Sequence, residues 1–124
     1  MKNGPVDAVV NSAGITGPVT PVANYPVDAW QQVMDVNVNG VFYCCREWTP
    51  HLKERPAGRI VNIASLLSFQ GGIRVPSYAA AKSGIHGFTK ALAQEGAKFG
   101  VTVNAIAPGY IDTDMVAAVP QPVL

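Results

Sequence analysis

Residues 6–14 read VDAVVNSAG, and this stretch decides the fold. It opens as a short valine-rich run and ends in Asn-Ser-Ala-Gly, the pattern of a buried strand entering a tight loop. The pattern returns in GRIVNIAS (58–65) and in VTVNAIAPG (101–109), each an apolar run closed by small or polar residues. Between the first two lies VDAWQQVMDVNVNGVFYCCREWTPHLKER. Its Trp30, Val33, Met34, Val38, Val41, Phe42, Cys45 and Trp48 fall at mostly three-and-four spacing, which predicts a helix. Asp28 is its expected N-cap, and Asn37, Asn39 and Gly40 break its middle. A second long helix is expected from Ser77 to about Phe99, stopped by Gly100. ITGPVTPVANYP and LLSFQGGIRVP read as loops, and residues 110–124 as irregular or weakly helical.

The order strand, helix, strand, helix, strand, with no hairpin signal, predicts an α/β fold. It has three parallel strands and two long right-handed crossover helices. In an open parallel sheet ligands sit beyond the carboxyl ends of the strands. Here those ends are Asn11 to Gly14, Ser65, and Pro108 with Gly109.

Only 14% of the 124 residues are charged, against about 25% in a typical soluble domain. Such a chain is expected to bury much of its surface. A net charge of +1 argues against nucleic acid and membrane surfaces as partners. No apolar run reaches the ~18 residues of a membrane span. MKNGPVDAVV has no secretory core, and the adjacent Cys44 and Cys45 read as reduced, packed thiols, which suits a cytoplasmic location. His51 and His86 read as solvated or helix-face residues, and Trp30 and Trp48 as packing residues. Asp112 and Asp114 lack a metal-loop pattern, so no metal is expected.

Chemistry is concentrated in RVPSYAAAKSG (74–84). Tyr78 and Lys82 stand four residues apart, on one helical face. Ser65 ends the preceding strand, and Asn37 lies in the polar break of the first helix. A tyrosine ionises near pH 10, so action as a base near neutrality requires its anion to be favoured by about 4 kcal/mol. An exposed ion pair supplies only ~0.2–1 kcal/mol. A lysine therefore needs a partly dry site or a second positive charge, such as an oxidised nicotinamide ring. The alanines between Tyr78 and Lys82 keep the helix and leave room for a flat ligand. A tyrosine and a lysine so spaced also arise on any amphipathic helix; Ser65, Asn37 and the three rim loops are what add weight here.

Taken together, NSAG, DVNVNG, GRIVNIAS, YAAAK and NAIAPGYIDTDM resemble the short-chain dehydrogenase/reductase family, in its order and at its spacings, over almost the whole chain. The resemblance implies a Rossmann-like, doubly wound parallel sheet that binds NAD or NADP. It implies that Tyr78 is the catalytic acid/base, that Lys82 binds the nicotinamide ribose and lowers the tyrosine pKa, and that Ser65 hydrogen-bonds the substrate oxygen. Asn37 would hold a water linking Lys82 to solvent. Asn11, Ala13 and Gly14 would line the cofactor side of the strand, and Pro108, Gly109, Ile111 and Thr113 would contact the nicotinamide end and the phosphates. Family members are commonly dimers or tetramers built on the two long helices, so a homo-oligomer is implied. Ser12 departs from the usual Asn-Asn-Ala-Gly.

The family's glycine-rich cofactor loop has no counterpart in the chain, nor has the residue that selects NAD or NADP. Residues 1–124 therefore read as a single incomplete Rossmann-type domain, its middle-to-late part. Either it is a fragment or it pairs with another polypeptide; alone it is expected to be inactive and poorly soluble. SLLSFQGGIRVPSY and NAIAPGYIDTD most resemble the branch of 2-deoxy-D-gluconate 3-dehydrogenase and 2-dehydro-3-deoxy-D-gluconate 5-dehydrogenase. Gln70 and Arg74 suit a small sugar acid, since arginine grips carboxylates with paired hydrogen bonds. Arg74 also reads as a surface or subunit-interface residue. A 3-oxoacyl-carrier-protein reductase or a broad alcohol dehydrogenase is the alternative enzyme, and an inactive remnant or binding module the alternative of another class.

Overall fold

The computed structural model describes residues 3–110. Three strands, β1 (Ala8–Asn11), β2 (Arg59–Ile63) and β3 (Thr102–Ile106), form one parallel sheet in the order β1-β2-β3. Val9 pairs with Ile60 and Asn11 with Asn62 on one side of β2, and Ile60 with Val103 on the other.

The first connection is helical from Val27 to Leu52: α1 (Val27–Met34), a π-helical turn (Asp35–Asn39) and α2 (Gly40–Leu52). The sequence led us to expect a break at Asn37. Instead the helix widens there, with Gly40 N–H donating to the Asp35 carbonyl five residues back. Pro26 precedes the first helical residue, so Asp28 lies in the first turn. There its charge favours the helix dipole without capping. The second connection is not all loop: Leu67–Gln70 form a short helix, α3, ended by Gly71 at φ +70°. Next comes α4 (Pro76–Gly96), extended by a 3-10 turn (Ala97–Phe99) and stopped by Gly100 in the left-handed region. Proline at the first position of α4 fits because its missing N–H would have no helical partner.

Both crossovers lie on the same side of the sheet. Val41, Cys45 and Leu52 of α2 and Ile85 of α4 share one core with Ile60, Ala64, Val101 and Val103, and the Phe42 and Phe88 rings meet edge-to-face. Burial alternates along the strands accordingly. Val9, Asn11, Ile60, Asn62 and Val103 face the helices, while Val10 and Ile106 remain 60% and 52% exposed on the other side. Within the described residues the sheet is wound on one face only.

Most of the two helical stripes is consumed by this core. Val33, Val41 and Ile85 are buried, and Trp48, Phe88, Leu92 and Ala93 pack against the cluster. Phe42 and Tyr43 point outward. His51 is not a solvated histidine: its Nε2 lies 3.2 Å from the Val6 nitrogen and 3.1 Å from the Val6 carbonyl oxygen, pinning the entry to β1 against the end of α2. The two cysteines diverge. Cys44 is exposed, whereas burial pushes the Cys45 thiol up to about 11. Alkylation of the folded chain at pH 8 should therefore modify Cys44 and spare Cys45, because the thiolate is the nucleophile. Mass mapping that finds Cys45 labelled as fast as Cys44 would contradict this packing.

Candidate active site

The parallel register brings the three strand ends to one rim. There the main chain links them: Ala64 N–H donates to the Ile106 carbonyl and Leu66 N–H to that of Pro108. Lys82 reaches the rim from α4. Its Nζ donates to the Ile63 carbonyl at 2.8 Å, and the residue is 3% exposed. This burial lowers its pKa from the ordinary ammonium value, because desolvation disfavours the charged form. Tyr78, one turn earlier, is half-buried and carries Lys82 Nζ 5.7 Å from its ring centroid.

Of the three intervening alanines, Ala81 is fully buried and Ala80 is exposed. Close packing requires the small side chain at Ala81, a reason that spacing alone did not reveal.

Asn37 is fully buried in the π-helical turn. Its Nδ2 donates to the Ile15 and Val33 carbonyls at 2.8 and 2.9 Å, and its Oδ1 accepts from Ile15 N–H at 3.2 Å. The side chain therefore clamps the loop after β1 to the first helix. Gly14 is held in the same place. A Cβ there would come 2.6 Å from Asn37 Oδ1 and 3.3 Å from Lys82 Nζ. Gly14, Asn37 and Lys82 are thus brought together.

Ser65 is buried and its Oγ accepts from Leu67 N–H at 3.2 Å, so its own hydrogen remains free for a ligand. Asn11 behaves differently from the expected rim residue. Strand alternation turns its amide into the core, where Nδ2 donates to Asn62 Oδ1 at 2.8 Å and approaches Cys45 Sγ at 3.5 Å. Ala13 and Gly109 are exposed, Pro108 is half-buried, and Ile111 and Thr113 lie outside the described residues. Gln70, the last residue of α3, and Arg74, in the turn after it, are exposed. Arg74 sits at φ +65° and its carbonyl accepts from Thr20 N–H at 2.7 Å. A bulky residue in that region is held by its surroundings.

Sequence reasoning passed over Asn62, Thr89 and Ser68. Asn62 Nδ2 donates to Thr89 Oγ1 at 3.1 Å, joining β2 to α4, and Ser68 joins the Ser65 turn to His86. An asparagine inside an apolar strand was the available signal for the first. Among the described residues no group of three acidic, cysteine or histidine side chains is placed to hold a metal, and no helix is long and apolar enough to cross a membrane.

The family model for short chain dehydrogenase matches residues 1–123. The chain belongs to that family. It is 47% identical over 113 residues to the 2-dehydro-3-deoxy-D-gluconate 5-dehydrogenase of Bacillus subtilis, covering 91% of this chain and 44% of the relative. It is 48% identical over 121 residues to the acetoacetyl-CoA reductase of Shinella zoogloeoides, covering 98% of this chain and 50% of that one. Among solved structures, the 3-ketoacyl-(acyl-carrier-protein) reductase of Brucella melitensis, complexed with NADH, superposes with a TM-score of 0.89 at 30% identity. That match covers 92% of this chain and 49% of the other. This short-chain dehydrogenase sequence thus spans about half the length of the relatives it matches.

Within this short-chain dehydrogenase core, Gly14→Ala tests the clamp. The added methyl group meets an Asn37 side chain that three hydrogen bonds hold in place, and overpacking of this kind typically costs about 1–3 kcal/mol. The urea midpoint should fall accordingly. A midpoint equal to the parent's would show that the loop and the π-helical turn are not locked together.

Proposed function

We propose that the chain is the catalytic half of a nicotinamide-dependent oxidoreductase that interconverts a secondary alcohol and a ketone, with a sugar acid related to 2-deoxy-D-gluconate as substrate. The observation that carries this reading is the buried Lys82 ammonium at the strand ends, bonded to the Ile63 carbonyl two residues before Ser65, with the Tyr78 ring and the Gly14 loop beside it. A nicotinamide dinucleotide fits the residues present. Gly14 keeps the floor beside Lys82 open, and Lys82 uses one donor on Ile63, leaving two of its three for ribose hydroxyls.

The bound dinucleotide, NAD or NADP, supplies the hydride chemistry. Lys82 orients the ribose and favours the tyrosinate electrostatically, since a neighbouring cation stabilises an anion. Tyr78 gives or takes the proton at the substrate oxygen. Ser65 Oγ–H donates to that oxygen and orients it. Asn37 fixes the loop that bounds the site and holds the water that links Lys82 to solvent. Main-chain groups of Asn11, Ala13, Gly14, Pro108 and Gly109, together with Ile111 and Thr113, contact the dinucleotide. Gln70 and Arg74 face the substrate, where the guanidinium takes the carboxylate. In this reading residues 1–124 are one incomplete domain working in the cytoplasm, on a small molecule, within a homo-oligomeric dimer or tetramer joined through Phe42 and Tyr43.

Turnover requires a partner segment carrying a glycine-rich phosphate loop. Positioning supplies about 7–11 kcal/mol of barrier lowering, and it is lost where the dinucleotide is not held. The test joins this chain in frame to the parts of the Bacillus subtilis relative that it does not span and assays the completed enzyme with NAD and NADP against 2-deoxy-D-gluconate. Tyr78→Phe should abolish turnover with the fold retained. Activity within tenfold of the parent would remove Tyr78 from the proton-transfer role, and a folded, inactive parent would favour an inert remnant.

A second reading rests on Phe69 and Ile73, which are 70% and 74% exposed beside Arg74. An apolar lip of this kind suits an acyl chain, as the likeness to an acetoacetyl-CoA reductase would have it. Arg74→Leu separates the two readings. Losing a hydrogen bond to a charged group costs about 1.5–3 kcal/mol, so KM for a sugar acid should rise roughly 10- to 150-fold. KM for a neutral ketone of similar size should stay put. Equal changes on both would make Arg74 structural.

A further inference from the structure

Histidine 86 stands one turn beyond Lys82 and two beyond Tyr78 on α4, and no role in the chemistry above uses it. Its Nε2 lies 2.6 Å from Ser68 Oγ. The same Ser68 hydroxyl donates to the Ser65 carbonyl, which also accepts from Ser68 N–H at 2.9 Å. A serine hydroxyl has one hydrogen. A carbonyl oxygen can only accept, so pairing all three groups assigns that hydrogen to Ser65 and the remaining proton to Nε2 of His86. The chain of donors therefore runs from His86 Nε2–H to Ser68 Oγ–H to the Ser65 carbonyl. Two further contacts tighten the junction. Ser83 Oγ donates to the Ser68 carbonyl at 2.9 Å, and the Phe69 ring lies over the His86 ring at a centroid distance of 4.6 Å.

Ser65 follows β2, whereas Tyr78 and Lys82 ride on α4. Their relative placement depends on how the turn at residues 65–68 sits against that helix. The hydrogen-bonded side chains of His86, Ser68 and Ser83 bridge the two directly. We propose that His86 is a positioning residue which, through Ser68, holds the Ser65 turn against α4 and so sets Ser65 in register with Tyr78. The inference rests on the functional reading above for its effect on turnover, but its structural content stands apart from it.

Two measurements test it. The first is spectroscopic and is read on the completed protein, whether or not it turns over. Its His86 nitrogens should report the tautomer protonated at Nε2, and Ser68→Ala should shift the Nε2 resonance. A ring protonated at Nδ1 alone, or one indifferent to Ser68→Ala, overturns the proposal whatever the enzyme does. The second uses the completed enzyme. His86→Phe keeps a ring against Phe69 but has no donor, and misplacement of a reacting group by about 1 Å can cost on the order of 100-fold. We expect kcat to fall about 10- to 100-fold, with KM for the dinucleotide unchanged because Lys82 is untouched. His86→Gln, which restores an N–H donor, should recover most of the loss. Ser68→Ala should match His86→Phe, and the double variant should be no worse than either. A parental kcat in His86→Phe, or a loss that glutamine leaves unrepaired, overturns the positioning role. A folded parent as inactive as Tyr78→Phe would instead count against the functional reading, and the nitrogen spectrum would then decide the clamp alone.

Discussion

The structure depends on a pair of amides buried between the first two strands. Asn11 and Asn62 are Cα partners in the ladder and touch through their side chains. From them the bonds reach outward to Cys45 on α2 and Thr89 on α4. A one-residue slip of β1 against β2 would place an amide opposite an aliphatic residue. Each buried amide left without a partner costs about 1–3 kcal/mol. The pair therefore specifies the register, and the register brings the strand ends to a common rim. Every side chain of the candidate site inherits its position from that alignment.

At the rim two polar side chains are desolvated for different ends. Asn37 uses both amide hydrogens and its oxygen inside the protein, so it is a satisfied structural clamp. Lys82 has one fixed acceptor, the Ile63 carbonyl. Its charge is disfavoured by burial, and additional hydroxyl acceptors would favour it. The ammonium is thus the group at this rim with the most to gain from a polyhydroxylated ligand. Asn37 is thereby saturated, whereas Lys82 keeps two donors beyond the one on Ile63.

Much of this was legible in the chain. The three apolar runs ending in small residues gave the strands and their parallel order, and the spacing of Tyr78 and Lys82 gave one face of a helix. Gly100 marked the helix end correctly. What escaped was the part set by tertiary neighbours. The π-helical turn replaces an expected break, because a wide turn keeps the helix continuous while Asn37 reaches Ile15. The Leu67–Gln70 helix was hidden in a segment whose glycines signal a loop. His51 and His86 read as solvated or helix-face residues, and both do lie on helices, but nothing local announces a hydrogen-bond partner 45 or 18 positions away. The strand-end pattern placed Asn11 on the rim, yet strand alternation directs its side chain inward, leaving only its main chain for a ligand.

The remaining constraint is on the side of the sheet away from the helices. Parallel strands are ordinarily covered on both faces. Here Val10 and Ile106 lie largely exposed on the face opposite Ile60 and Val103, and β1 and β3 are both unpaired along their outer edges within the described residues. Apolar side chains on an open face, combined with free main-chain donors and acceptors at an edge, favour association with another strand or layer. The relatives, twice as long at comparable identity, contain chain enough to provide one. Among the described residues the helix-covered face has its buried amides paired and its core continuous. A second layer could therefore add to this half without rearranging it. Tyr78 and Lys82 on α4 and Ser65 after β2 are placed by the half described here, and the open face of the sheet is where further chain would pack.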